Sequence, residues 1–178
     1  VSYLFCRCLY LTGCRVSELC AAKVRHLYTE DGMVKIRVKR KGGKFGSLRL
    51  PPAEGAEVTA LAAGRDPEGA LFWSPLAGAG RIVREDGHMV RSEATTLVAH
   101  AGRLGGLPMR VTPHMIRTTG INLLLRAGQP MQVAQAFAGH QRIATTEIYV
   151  RRINEDAEAL EVMAVLTKNL PQIGRAHV

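Results

Sequence analysis

Two arginines, two histidines and one tyrosine stand at spacings that suit attack on a phosphodiester by a protein nucleophile. His114 and Arg117 lie three residues apart, so on a helix both project from one face. Gly139-His140 follows, and Tyr149 stands nine residues beyond that histidine in Thr145-Thr146-Glu147-Ile148-Tyr149. Far upstream, Arg15 sits just after a Thr12-Gly13 turn, in Thr12-Gly13-Cys14-Arg15-Val16-Ser17-Glu18-Leu19. The phosphorus of a phosphodiester is shielded by negative oxygens. Arginine forks stay charged and grip such oxygens in two places, which makes Arg15 and Arg117 the expected phosphate clamp. His114 and His140 can donate hydrogen bonds to the same phosphate or hold a proton near neutral pH. Tyr149 is the expected nucleophile, since a phenol ionising near pH ~10 becomes reactive when cations or a base favour the phenolate.

Each residue also has a plainer explanation. Single arginines are mostly solvated, and a lone histidine beside a glycine is more often structural. Tyr149, flanked by Ile148 and Val150, fits a core aromatic, as do Tyr3, Tyr10 and Tyr28 in their apolar surroundings. The joint occurrence of the set in ordered motifs is what favours chemistry. Lys41 and Lys44 occupy a Lys-Gly-Gly-Lys turn. Such a tip can enter a DNA groove and deliver a proton to a departing 5′ oxygen, though a solvated hairpin has the same composition.

The elements that must position these residues are mainly helical. Val1 to Tyr10 is apolar at helical spacing and ends near Thr12-Gly13, and a second helix is expected from about Arg15. Met33 to Arg40 alternates apolar and basic residues, the period of a half-buried strand. Arg25 to Glu30 precedes it across Asp31-Gly32, and Ser47 to Leu50 returns after the lysine turn, so a small sheet is predicted. Helices are expected over 53–63, 90–104, from Pro113 to Ala127-Gly128, and over 131–138, with an exposed glycine-rich loop over 74–87. A helix carrying Tyr149 and a separate last helix over 156–170 complete the prediction, with residues 171–178 as a tail. The fold class is α+β, mainly helical, with a small three-stranded antiparallel sheet.

The 178 residues suit one domain with a real core. Twenty-four Lys and Arg against fifteen Asp and Glu give +9, which favours a polyanionic partner through counterion release. Apolar runs such as Ile121 to Leu125 are too short to span a bilayer, and the start lacks the pattern of a secretory signal. The chain does not open on Met, and a fragment or excised domain is expected. Cys6, Cys8, Cys14 and Cys20 all fall in the first twenty residues without a second ligand cluster. Free thiols in a reducing cytosol are expected rather than a zinc site.

These motifs resemble the tyrosine recombinase (phage integrase) family. Arg15 occupies the arginine of a Thr-Gly-x-Arg-x-Ser-Glu-Leu segment. His114 and Arg117 match His-x-x-Arg, Gly139-His140 the Gly-His pair, and Tyr149 the tyrosine of Thr-Thr-x-x-Tyr. The family's hairpin lysine aligns best with Lys41, with Lys44 second. The resemblance runs from about residue 1 to Arg152. It implies a tyrosine-recombinase-like catalytic domain over residues 1–170, without the N-terminal core-binding domain that completes a clamp on DNA. It further implies cleavage of double-stranded DNA by Tyr149 through a 3′-phosphotyrosyl link, with Lys41 as general acid and no metal, ATP or other cofactor. A homotetramer on paired sites, monomeric when free, and a cytoplasmic, nucleoid-associated location follow from it, with no membrane partner. Glu18 stands where it can brace the first arginine's helix. Thr118 departs from the His that many members carry after the second arginine, and Ala138 from the Leu before Gly-His. Arg91 to Arg103, a basic helix ahead of His-x-x-Arg, is expected to contact DNA. The alternatives are a type IB topoisomerase-like enzyme and a catalytically idle DNA-binding remnant of a mobile element. A helix-turn-helix regulator would explain the charge but not the arginine, histidine and tyrosine set.

Overall fold

The computed structural model describes residues 1–40, 42–73 and 87–168. The alternating segment forms β2 (Met33–Lys39), paired antiparallel with β1 (Leu27–Glu30) and β3 (Phe45–Arg49) in the order β1-β2-β3. The register sets Ile36 against Leu27 and Leu48, and Lys39 against Phe45. Asp31 and Gly32 both take positive φ, 52° and 72°, the conformation a two-residue hairpin needs. Val34, Ile36 and Val38 face inward, while Arg37 and Lys39 are exposed. The first strand is shorter than expected. Residues Val24–His26 form a 3-10 turn instead, because the amides of Val24 and Arg25 donate to the carbonyls of Gly69 and Pro67 rather than to a strand.

Helices α1 (Ser2–Thr12), α2 (Val16–Cys20), α3 (Pro52–Ala62) and α4 (Arg91–Leu104) enclose the larger core with the sheet. Phe5, Leu9, Leu19, Ile36, Leu50, Val58, Leu71, Phe72 and Val98 fill it, with the Phe5 and Phe72 rings edge to face at 5.6 Å. Helices α5 (Pro113–Arg126), α6 (Met131–Ala138) and α7 (Ala144–Lys168) form a smaller cluster around Ile121, Ala134 and Ala138. The two expected C-terminal helices are one continuous helix. No Gly or Pro interrupts residues 150–157, so nothing in the local sequence breaks the hydrogen-bond ladder. Residues 74–86 of the loop expected over 74–87, the last two residues of the helix expected over 156–170, and the tail expected over 171–178 lie outside the described residues. The four cysteines are free, with Cys8, Cys14 and Cys20 buried.

Candidate active site

Four segments converge on one cleft. The first is the turn after α1. Gly13 takes φ 56° and its amide donates to the Leu9 carbonyl. A side chain there would overlap the Phe137 ring of α6, so this glycine permits both the left-handed turn and the close approach. Arg15 then stands extended as the N-cap of α2. The Glu18 carboxylate accepts from the Arg15 amide at 3.2 Å and from its guanidinium at 3.0 Å. The Glu18 side chain is 3% exposed and that of Arg15 34%. A buried anion thus anchors the arginine and leaves part of its fork open.

The second segment is the start of α5, where Thr112 Oγ1 accepts the Met115 amide and Pro113 opens the helix. His114 in the first turn is exposed, and Arg117, one turn deeper, is buried. The Arg117 guanidinium donates to the Gly13 carbonyl, fixing the second arginine to the turn that presents the first. Burial, then the like charge of Arg15, lowers the proton affinity of Arg117. Glu18, Tyr149 and Cys14 act the other way.

The third and fourth segments are the α6–α7 turn and the first turns of α7. Gly139 ends α6 at φ 60°, and the Gln135 amide group donates to the His140 carbonyl at 3.1 Å. His140 Nδ1 lies 3.0 Å from the hydroxyl of the fully buried Thr146. Burial, and then Arg117 and Arg15, push the His140 pKa down to about 4. Its ring is near-parallel to that of Tyr149, with 6.2 Å between centroids and 20° between planes. Tyr149 rests partly on the Ile121 cluster, so the plainer expectation of a packed aromatic holds for one side of the ring. Its other side borders the cleft.

Arg15, His114, Arg117, His140 and Tyr149 line one cleft of about 580 Å³ together with Arg91. Cations, a neutral imidazole and a phenol around one opening can bind a phosphate and direct a nucleophile at it. The basic helix α4 divides between two places. Arg91 joins the cleft, whereas Arg103, about 18 Å along the axis, donates to His100 and lines a separate groove with Leu107 and Arg110. Lys41 lies outside the described residues. Lys44 is exposed, and its carbonyl accepts the Arg40 amide. A side chain on Gly42 would come within 3.3 Å of Gln141, so the hairpin tip approaches the His140 turn. Among the described residues no group of three or more His, Cys, Asp and Glu side chains could hold a metal ion, and no helix is long and apolar enough to cross a membrane.

Sequence pattern alone assigns no role to Thr146 or Arg40. The guanidinium of Arg40 lies against both Gly139 and Gly46, where any side chain would overlap it. Arg40 Nη1 and Thr118 Oγ1 are buried without hydrogen-bond partners. Arg40 sits at the end of an alternating basic strand, and nothing local distinguishes it from its solvated neighbours.

The chain is thus a mainly helical domain with a three-stranded sheet, and two arginines, two histidines and a tyrosine line one of its clefts. Residues 1–155 match the sequence pattern of the phage integrase family, and the chain belongs to that family. It is 31% identical over 155 residues to a tyrosine recombinase of Pseudothermotoga lettingae, covering 86% of this chain and 50% of that protein. It is 32% identical over 141 residues to the tyrosine recombinase XerC of Xanthomonas campestris pv. campestris, covering 79% and 41%. The chain therefore spans about half the length of the curated relatives it matches. Among solved structures, XerH recombinase bound to its difH substrate in a pre-cleavage complex aligns with a TM-score of 0.67 at 20% identity, covering 88% of this chain and 44% of that one. The XerA recombinase aligns with a TM-score of 0.63 at 20% identity, covering 88% and 62%. These likenesses establish the fold.

Proposed function

We propose that this chain is the catalytic domain of a site-specific DNA recombinase that cuts and rejoins strands through Tyr149. The observation that carries the reading is the convergence of Arg15, His114, Arg117, His140 and Tyr149 on one cleft. Family membership and the DNA-bound state of the similar XerH structure support DNA as the substrate. The Tyr149 oxygen attacks phosphorus and forms a 3′-phosphotyrosyl bond. The 5′ oxygen leaves with a proton from Lys41, and Lys44 is the second candidate for that role. Arg15 and Arg117 hold the non-bridging oxygens as negative charge develops. A phosphate bound between them offsets the charges that depress His140, so its proton affinity rises as substrate arrives. Its Thr146 contact then orients the imidazole toward the reacting group. The reverse attack by a 5′ hydroxyl conserves the bond energy, so the reaction calls for neither ATP nor a metal. Action as a homotetramer on paired sites is part of this reading. It is supported by the exposed Leu160, Val162 and Met163 on the distal part of α7, a surface suited to a neighbouring protomer.

Nicked suicide duplexes, including a randomised pool, test the proposal. Wild type is expected to give a covalent adduct that maps to Tyr149 and is absent from Tyr149→Phe at equal fold content. An adduct that persists in that variant, or none even in a chain extended by a core-binding domain, overturns it.

A further inference from the structure

The outer face of the sheet is a second concentration of positive charge, built by the alternation of β2. Arg37 and Lys39 project outward, and the register brings Arg49 opposite Lys35 and Phe45 opposite Lys39. Glu30 is held by Lys35, and Glu68 by Lys23 and Arg25. Arg37, Lys39 and Arg49 have no ion pair among the described residues. Lys35 and Arg49 stand directly opposite, and the Glu30 carboxylate pairs with Lys35, which is itself buried, and not with Arg49. Two aromatic rings interleave the cations. Tyr28 lies under the Arg37 guanidinium at 5.5 Å and bonds Ser47 through its hydroxyl. Phe45 is 69% exposed and, with Arg25, His26 and Arg37, lines an open hollow of about 560 Å³. His26 registers the local field: burial lowers its proton affinity first, and Arg25, Lys23 and Arg37 lower it further.

Alternate residues on a strand stand about 6.8 Å apart, a spacing at which neighbouring cations can meet successive phosphates of one extended strand. Cations at this spacing beside an exposed ring combine backbone neutralisation with a stacking platform, the pairing suited to unpaired nucleic acid. We propose that the outer sheet face is a second nucleic-acid contact, separate from the Tyr149 cleft. It holds a single DNA strand with phosphates on Arg37, Lys39 and Arg49 and a base on Phe45. The inner face packs against α3, with Gly55 against Val34, so these cations point away from the core and their replacement spares it.

The test is anisotropy of a labelled oligothymidylate of about 12 nucleotides, measured with the full chain over a salt series. Replacing Arg37, Lys39 and Arg49 together by Ser is expected to weaken binding about tenfold or more. It should also make the slope of log K against log salt shallower by about 2, at ~0.7 per phosphate. Phe45→Ala is expected to weaken binding about fivefold or more with the slope unchanged, because stacking carries no charge. Phe45→Trp is expected to restore affinity and to be quenched on binding. Unchanged affinity and slope in the folded triple variant overturns the proposal, as does a loss confined to duplex DNA. The oligonucleotide presents no recombination site, so absence of a Tyr149 adduct would leave this result standing.

Discussion

Under the proposed function, Glu18 supports the phosphate grip without itself offering a positive charge. It anchors Arg15 and lies close enough to Arg117 to favour its charged form. Glu18→Gln keeps the shape and removes the anion. It is expected to cost about 1–3 kcal/mol in urea unfolding and to slow adduct formation about tenfold, or ~1.4 kcal/mol. His140 gives a prediction in pH. Its folded pKa of about 4 lies below the ordinary value of 6.5, so the unfolded chain binds a proton that the folded chain refuses. The stability tied to this group is complete above pH 6.5 and is lost as pH falls toward 4. Melting temperatures of wild type are therefore expected to drop more steeply across that window than those of His140→Gln. The positions of both residues near the arginines were partly legible in the sequence, since Glu18 sits in the arginine motif and His140 in the Gly-His pair. The depressed basicity of His140 was not, because it arises from burial and then from Arg117 and Arg15, all of which only folding supplies.

Among the elements, α6 ended where the sequence indicated and the sheet followed its period-two alternation, because both signals are local. The continuity of α7 departs from the two helices expected. No breaker residue stands between Tyr149 and Asp156 to divide it. The contact of Arg40 with Gly139 joins a hairpin to a helix end across a long sequence separation, and no local pattern encodes it. Gly139→Ala would force a side chain into a left-handed backbone and into that guanidinium. An expected loss of about 2–4 kcal/mol follows. Gly64→Ala, at φ 71° with open space around it, is expected to cost only about 1 kcal/mol. Urea midpoints of the two variants, compared directly, separate the contact from the backbone effect.

For the molecule as a whole, the basic surplus pointed to a polyanion, and the structure distributes that surplus over distinct surfaces. Arg91 joins the cleft, whereas Arg103 lies in a separate groove. Helix propensity could place both on one helix but could not say what the rest of the chain would bring beside each end. The core supplies a gauge of global opening. Burial pushes the thiols of Cys8 and Cys20 up to about 12 and that of Cys14 up to about 11. Iodoacetamide at pH 8 is expected to modify half-buried Cys6 first. The other three should react at a rate that tracks unfolding as urea is added, and rapid labelling in native buffer would contradict this core.

The bond from Arg117 to the Gly13 carbonyl spans 104 residues, and Tyr149 lies later still in the chain. A ribosome therefore releases Arg15 and Arg117 before Tyr149. Under the proposed function, a chain halted before α7 would carry both arginines of the phosphate clamp without the residue that breaks the backbone. On that reading, the capacity to cut is synthesised last.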